Sequence, residues 1–405
     1  MRQTPMTPLQ HALRAFPLTD DHTWMLVVDL DDVVARWTVL RESFGPGWLH
    51  AIAIKAHTLR ATLQLLVEQG AGLEAASLGE LDLALGAACP PERIVFDSPV
   101  KTRSELEHAL SLGVTLNADN LAELARIDDL LRGCAPSGRI GIRVNPELGA
   151  GRLRHLSVGV RNSKFGVSLL AQEEDVVAAF ERYPWLTGLH VHIGSQGYAV
   201  QLLADGVKRV VELAHRCGAA WIDIGGGMAV ATAADDVVPT MQEYADRLRV
   251  GAPSLFDGTF EGITEFGRWL FSGSTVAVSR VEYVKPAADT TIATIHFGGD
   301  LMIRHIYHPG QWYHPLTVLS PDGLPKDAPL RKHTIGGPLC FGGDVVAEDV
   351  RLPEIAEGDL LAVGNVGAYT FSMWSRYCSR DTPRIVGVTG GDATLLREAA
   401  RAEFW

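Results

Sequence analysis

Eight short apolar runs lie between residues 51 and 266, and stretches of helical spacing separate them. Apolar runs of this length read as buried strands. They place strands at 51–55, 72–77, 93–97, 114–118, 139–144, 188–193, 220–224 and 262–266. Helical periodicity fills 58–69, 102–112, 120–132, 171–183, 200–216 and 239–249. Regular alternation of strand and helix predicts a parallel sheet closed into a (β/α)8 barrel. In such a barrel the reactive groups gather at the C-terminal ends of the strands.

The flanks have a different texture. Residues 1–24 read as irregular, with Pro5, Pro8 and Pro17. Met25–Leu30 reads as a strand, and a helix follows from Asp31 to about Ser43 before Gly45-Pro46-Gly47. The gap 145–170 is glycine-rich and basic, and reads as a functional loop over the barrel mouth. After about residue 274, short alternating runs such as 281–284, 291–295 and 360–363 predict an antiparallel β domain. The early strand is expected to join it and make it discontinuous. The expected division is 1–35 with the β domain, 36–273 as the barrel, and 274–405 as the rest of the β domain.

Composition narrows the class of partner. A net charge of −12 argues against a nucleic-acid or anionic-membrane surface as the main partner. Five scattered cysteines with no CxxC pair argue against a disulfide framework or a cysteine zinc site. Neither a signal region nor a membrane-spanning run is visible, so a cytoplasmic location is expected.

The strand ends carry a consistent set of side chains. Lys55 stands at the first, as a candidate Schiff-base nucleophile whose neutral amine is favoured by partial burial. Glu80 follows the second and Arg143 lies on the fifth. The sixth carries His190 and His192, the seventh leads into Gly225, Gly226 and Gly227, and the eighth into Glu265, Gly267 and Arg268. Glycines and an arginine after the last two strands suit a phosphate cup. A lysine, a phosphate cup and a carboxylate on one mouth suit pyridoxal phosphate. His192 is read as stacking on a cofactor ring and His190 as a deeper packing residue. A metal site is not expected, and His305, His308 and His314 read as solvated loop residues.

In this order the motifs resemble one family over nearly the whole chain. They are Ala53-Ile54-Lys55-Ala56, Ser77-Leu78-Gly79-Glu80-Leu81, Lys164-Phe165-Gly166, His190-Val191-His192-Ile193-Gly194-Ser195-Gln196, Asp223-Ile224-Gly225-Gly226-Gly227, Glu265-Phe266-Gly267-Arg268, Gly337-Pro338-Leu339-Cys340-Phe341-Gly342-Gly343-Asp344, Gly358-Asp359 and Gly367-Ala368-Tyr369. The chain resembles the fold-type III, alanine racemase-like pyridoxal-phosphate decarboxylases that act on diaminopimelate, ornithine and arginine. The resemblance implies that Lys55 carries the cofactor and His192 stacks on its ring. It implies that Ser195, Gly226, Gly267, Arg268 and Tyr369 contact the phosphate, and that Glu265 partners the pyridine nitrogen. Cys340 would protonate Cα across a homodimer interface, with a thiol pKa that modest shifts bring near neutral.

Three positions depart from the family's usual residues. His57 stands in place of Asn, Phe266 in place of Pro, and Phe341 in place of the acid that holds a distal ammonium. Arg304, followed closely by Tyr307, resembles the arginine that meets a substrate carboxylate in diaminopimelate decarboxylases. A phenyl ring cannot pair with an ammonium by charge, and an unpaired cation is costly to desolvate. The expected substrate is therefore an amino acid with a distal anionic or acyl group, for example in siderophore assembly. An amino-acid racemase and a catalytically inactive regulatory homologue are the rival readings.

Overall fold

The computed structural model describes residues 6–149, 159–194, 196 and 199–402. Ser195 and residues 150–158 of the expected mouth loop lie outside them. The chain divides into two compact units. One comprises Arg36–Val230 and Val238–Trp269, the other Met1–Ala35, Ala231–Val237 and Leu270–Trp405.

The first strand, β1 (Trp24–Asp29), belongs to the second of these units. The barrel begins with β2 (Trp48–Ala53), β3 (Gly72–Ala75), β4 (Ile94–Phe96) and β5 (Thr115–Ala118). It continues with β6 (Ile140–Asn145), β8 (Leu186–His190), β9 (Trp221–Asp223) and β10 (Glu261–Thr264), while the two-residue β7 (Val167–Ser168) pairs on the side of β6. Neighbours pair in parallel around the ring, β5 meets β6, and β10 meets β2, so the sheet closes. All eight expected strands are present. Several helices start where a side chain caps the first turn: Thr102 with Glu105, and Thr240 with Glu243, form reciprocal capping boxes.

Packing inside the barrel explains two glycines. Ala51, Val95, Trp221 and Ile263 cluster from four different strands. A Cβ on Gly188 would lie 2.0 Å from the Trp221 ring, and one on Gly141 2.5 Å from it. The indole thus fills the volume that two neighbouring strands leave by carrying no side chain.

In the second unit β1 sits inside a mixed sheet with β11 (Thr275–Pro286), β12 (Thr291–Ile295), β13 (Leu316–Leu319), β14 (Leu330–Gly336), β15 (Val345–Pro353), β16 (Leu360–Val363), β17 (Arg384–Thr389) and β18 (Asp392–Arg397). Most pairs are antiparallel, as expected, but β1–β17 and β12–β14 are parallel. Val27, Val278, Leu360 and Val386 share its buried cluster with Ala12. Ala12 lies on a helix, Pro8–Ala15, within the segment read as irregular. Pro8 there begins a helix rather than breaking one: it stands in the first turn, where its missing N–H costs nothing, and Thr7 and Gln10 cap that turn reciprocally.

Candidate active site

Lys55 lies just beyond β2, in a single 3-10 turn, Ile54–Ala56. Its Nζ donates to both oxygens of Glu74, at 2.6 and 2.5 Å. Glu74 is wholly buried in β3. Burial pushes its carboxyl up to about 8, against the pull of the lysine. Burial therefore favours the protonated carboxyl, and contact with both of its oxygens orients the Lys55 amine at the strand end.

Behind this pair is a buried charge network. Asp97 follows β4, His190 ends β8 and Glu265 follows β10, and all three are buried. Asp97 Oδ1 faces His190 Nδ1 and Glu265 Oε2 faces His190 Nε2, each at 3.6 Å. Arg143 Nη1 donates to Asp97 Oδ2 at 3.2 Å. Burial opposes charge on His190, but Asp97, Glu265 and Asp223 lift its pKa to about 9. Burial also opposes charge on Glu265, yet His190 holds it below the ordinary carboxylate range. Asp223 goes the other way: burial and Glu265 push it well above its ordinary value. His190 is a deep residue, as expected, but it stands between two carboxylates that favour its charged form. Asp97, His190 and Glu265 also offer ligand atoms within 4.8 Å of one another, the spacing of a possible metal cluster.

The phosphate-cup glycines are fixed by their neighbours. Gly225 has φ +64°, and a Cβ there would lie 2.7 Å from His192 Nδ1. A Cβ on Gly226 would meet the Glu265 carbonyl oxygen at 2.4 Å, and one on Gly227, at φ +110°, the Gly194 carbonyl oxygen at 2.2 Å. Only glycine fits three consecutive positions at such distances. His192 lies two residues past β8, partly exposed, and Gly226 N–H donates to its Nδ1 at 3.2 Å. Burial and then Arg143 lower its pKa to about 3, so the ring is neutral with its proton on Nε2. Gly267 packs against Ala53 and Ala56, and Arg268, buried, opens the short helix Arg268–Phe271. Glu265 Oε1 has no hydrogen-bond partner among the described residues. A buried carboxylate with one oxygen on an imidazole and one unpartnered, beside a side-chain-free cup and a lysine, fits the pyridine nitrogen, phosphate and aldehyde of pyridoxal phosphate.

The remaining candidates lie on the second unit. The Arg304 guanidinium is 4.2 Å from the Tyr369 ring centroid and 5.7 Å from that of Trp312, and its Nη1 has no hydrogen-bond partner among the described residues. Tyr369 is held at φ +57°, an unusual conformation for a residue with a side chain. Cys340 is exposed, and Tyr377 Oη donates to its carbonyl oxygen at 3.1 Å. Phe341 stacks on Tyr307, with centroids 5.8 Å apart at 18°, and meets Tyr377 edge-on at 6.1 Å and 71°. Asp344 accepts from Leu339 N and Gly299 N, both at 2.7 Å, and so pins the segment that carries Cys340. His305 and His314 are half-buried rather than freely solvated, with ring centroids 5.1 Å apart and each ring on a backbone carbonyl, whereas His308 is exposed as expected. Phe266 is buried among Phe44 and Tyr244, and His57 is buried as well.

Residues 30–272 match the pyridoxal-dependent decarboxylases over their pyridoxal binding domain. The chain belongs to this family. It is 32% identical over 364 residues to a diaminopimelate decarboxylase of Methanothermobacter thermautotrophicus, covering 85% of this chain and 81% of the relative. It is 30% identical over 393 residues to that of Aquifex aeolicus, covering 94% and 90%. A crystal structure of diaminopimelate decarboxylase from Helicobacter pylori complexed with L-lysine superposes with a TM-score of 0.83, at 26% identity and covering 94% and 95% of the two chains. The cofactor of this decarboxylase is pyridoxal phosphate. No described helix is long and apolar enough to cross a membrane.

Sequence reasoning missed Glu74 and Asp97, and undervalued His190. Glu74 left a signal: a carboxylate inside a four-residue strand otherwise built of Gly, Leu and Ala. A charged residue in a run that buried needs a partner, and Lys55 is the one strand away that supplies it.

Proposed function

We propose that the chain decarboxylates an amino acid whose distal end is anionic or acylated, in preference to a free diamino acid. The observation that carries this reading is Phe341. It follows Cys340 where the family places an acid, and it stacks on Tyr307 instead of offering a carboxylate. Arg304 keeps a guanidinium with an unfilled donor, suited to a carboxylate or an acyl oxygen.

Lys55 carries the cofactor, its amine oriented by Glu74. Gly225, Gly226, Gly227, Gly267, Arg268 and Tyr369, with Ser195, hold the phosphate. His192 supports the ring and Glu265 partners its nitrogen. Bound pyridoxal phosphate supplies the electron sink that accepts the pair left when the α-carboxylate departs as carbon dioxide. Cys340 Sγ then gives its proton to Cα and is left as thiolate. In this reading the site is shared by two copies of the chain.

A substrate panel tests it. Carbon dioxide release should be poor with lysine, ornithine and diaminopimelate, and better with amino acids whose distal amine is acylated or replaced by an anionic group. Losing a buried charge partner typically costs about 2–5 kcal/mol, roughly thirty-fold or more in rate. Phe341→Glu should move preference toward free diamino acids. Efficient turnover of free lysine or ornithine by the natural enzyme contradicts the specificity, and release from no amino acid favours the inactive homologue.

A further inference from the structure

His190 has a carboxylate on each side. Asp97 faces Nδ1 and Glu265 faces Nε2, at equal distances of 3.6 Å, with the ring fully buried. A neutral imidazole has one N–H and one lone pair, so one of the two carboxylates would face a lone pair in a dry site. A metal ligand has the same difficulty. It offers one nitrogen to the ion, yet the two acids lie at opposite nitrogens, not together at one. Only the imidazolium presents a donor to both.

The surroundings fit that charge. Arg143 occupies the other oxygen of Asp97, leaving Oδ1 for His190. Asp223, at the end of β9, is the register partner of His190, and Asn117 Nδ2 and Gly225 N donate to its two oxygens at 3.3 and 2.9 Å. His192 is the other ring nearby, and its Nδ1 accepts from Gly226, so it competes for no proton. Glu265 has Oε2 on His190 and Oε1 unpartnered. Its charge is thus set from one side by His190 and open on the other.

We propose that His190 is a positioning residue: held as an imidazolium between Asp97 and Glu265, it keeps Glu265 ionised and thereby keeps the cofactor's ring nitrogen protonated. This rests on the reading of Glu265 as the ring-nitrogen partner. A single proton is shared between a carboxylate and a pyridine nitrogen. A cation behind the carboxylate makes it the weaker base and leaves the proton on the ring. Take the cation away and Glu265, now repelled by Asp97, draws the proton to itself.

Nuclear magnetic resonance on the cofactor-loaded enzyme tests both parts. Isotope-labelled histidine should show His190 with both ring nitrogens protonated at neutral pH, its signal assigned by loss in His190→Gln. Asp97→Asn removes one of its two acids and should lower the pH at which the signal leaves the protonated pattern by about one unit or more, a tenfold change in proton affinity. If His190→Gln does not fold, the signal that this shift picks out identifies His190. Labelled ring nitrogen in the cofactor should read as protonated in the natural enzyme and move toward the unprotonated position in His190→Gln. A neutral His190 at neutral pH overturns the proposal. So does one zinc ion per cofactor-free chain that His190→Gln abolishes. A ring nitrogen unmoved in His190→Gln but moved in Glu265→Gln removes the role of His190 and leaves that of Glu265. A ring nitrogen unmoved in both variants overturns both.

Discussion

At the scale of single residues, the Lys55–Glu74 pair sets where the amine points. Borohydride reduction of the loaded enzyme followed by peptide mapping should place the cofactor on Lys55. A label on Lys101 would contradict the site, although Lys101 is already occupied: it is buried, 2.9 Å from Glu123. Glu74→Ala removes the contacts that orient the amine and should slow attachment of pyridoxal phosphate to cofactor-free protein by up to about a hundredfold, the scale of a misplaced reacting group. Absorbance after rapid mixing measures it. Lys55 was legible because it ends a long apolar run. Asp97 was not, since nothing local distinguishes it from an ordinary turn residue after a strand. Its role exists only because β4 and β8 bring Asp97 and His190 face to face across the barrel.

At the scale of elements, the triglycine turn couples the phosphate cup to Glu265. In Gly226→Ala the new methyl meets the Glu265 carbonyl oxygen at 2.4 Å, so the end of β10 must shift. Overpacking of this kind costs about 1–3 kcal/mol, to be read as a lower denaturant midpoint and weaker cofactor retention. His50 on β2 gives a pH dependence. Its Nδ1 contacts Thr264 Oγ1 at 2.8 Å, the Trp37 and Phe44 rings flank it, and burial lowers its pKa to about 4. The unfolded chain takes up that proton near its ordinary value of 6.5, the folded chain only near 4. Stability conferred by the neutral ring is therefore complete above about 6.5 and is lost as pH falls toward 4, by up to about 3 kcal/mol. Denaturant midpoints should fall over that window and flatten in His50→Gln. The eight barrel strands were readable because each is a local apolar run. The parallel pairs β1–β17 and β12–β14 were not, because partner choice in a mixed sheet is settled by residues far apart in sequence. The helix Pro8–Ala15 was hidden by a proline whose effect reverses with its position in the turn.

At the scale of the whole molecule, the reading of a shared site makes a prediction about mixtures. Lys55→Ala and Cys340→Ala should each be inactive. Mixed in equal amounts and allowed to exchange, they should recover about a quarter of natural activity, because half the dimers are hybrids with one intact site of two. No recovery under demonstrated exchange means that each site is built from one chain. The course of synthesis is constrained by a different feature. β1 pairs with β11 on one side and β17 on the other. The barrel strands, all encoded between them, can assemble as they leave the ribosome. Trp24–Val28, five buried residues in a row, cannot. At roughly 5–20 residues per second the segment waits on the order of tens of seconds for β11 to be made, with a sticky edge exposed. The nascent chain is thus most vulnerable around Trp24–Val28, and a chaperone that shields this strand would act on a segment made before the barrel and buried after it.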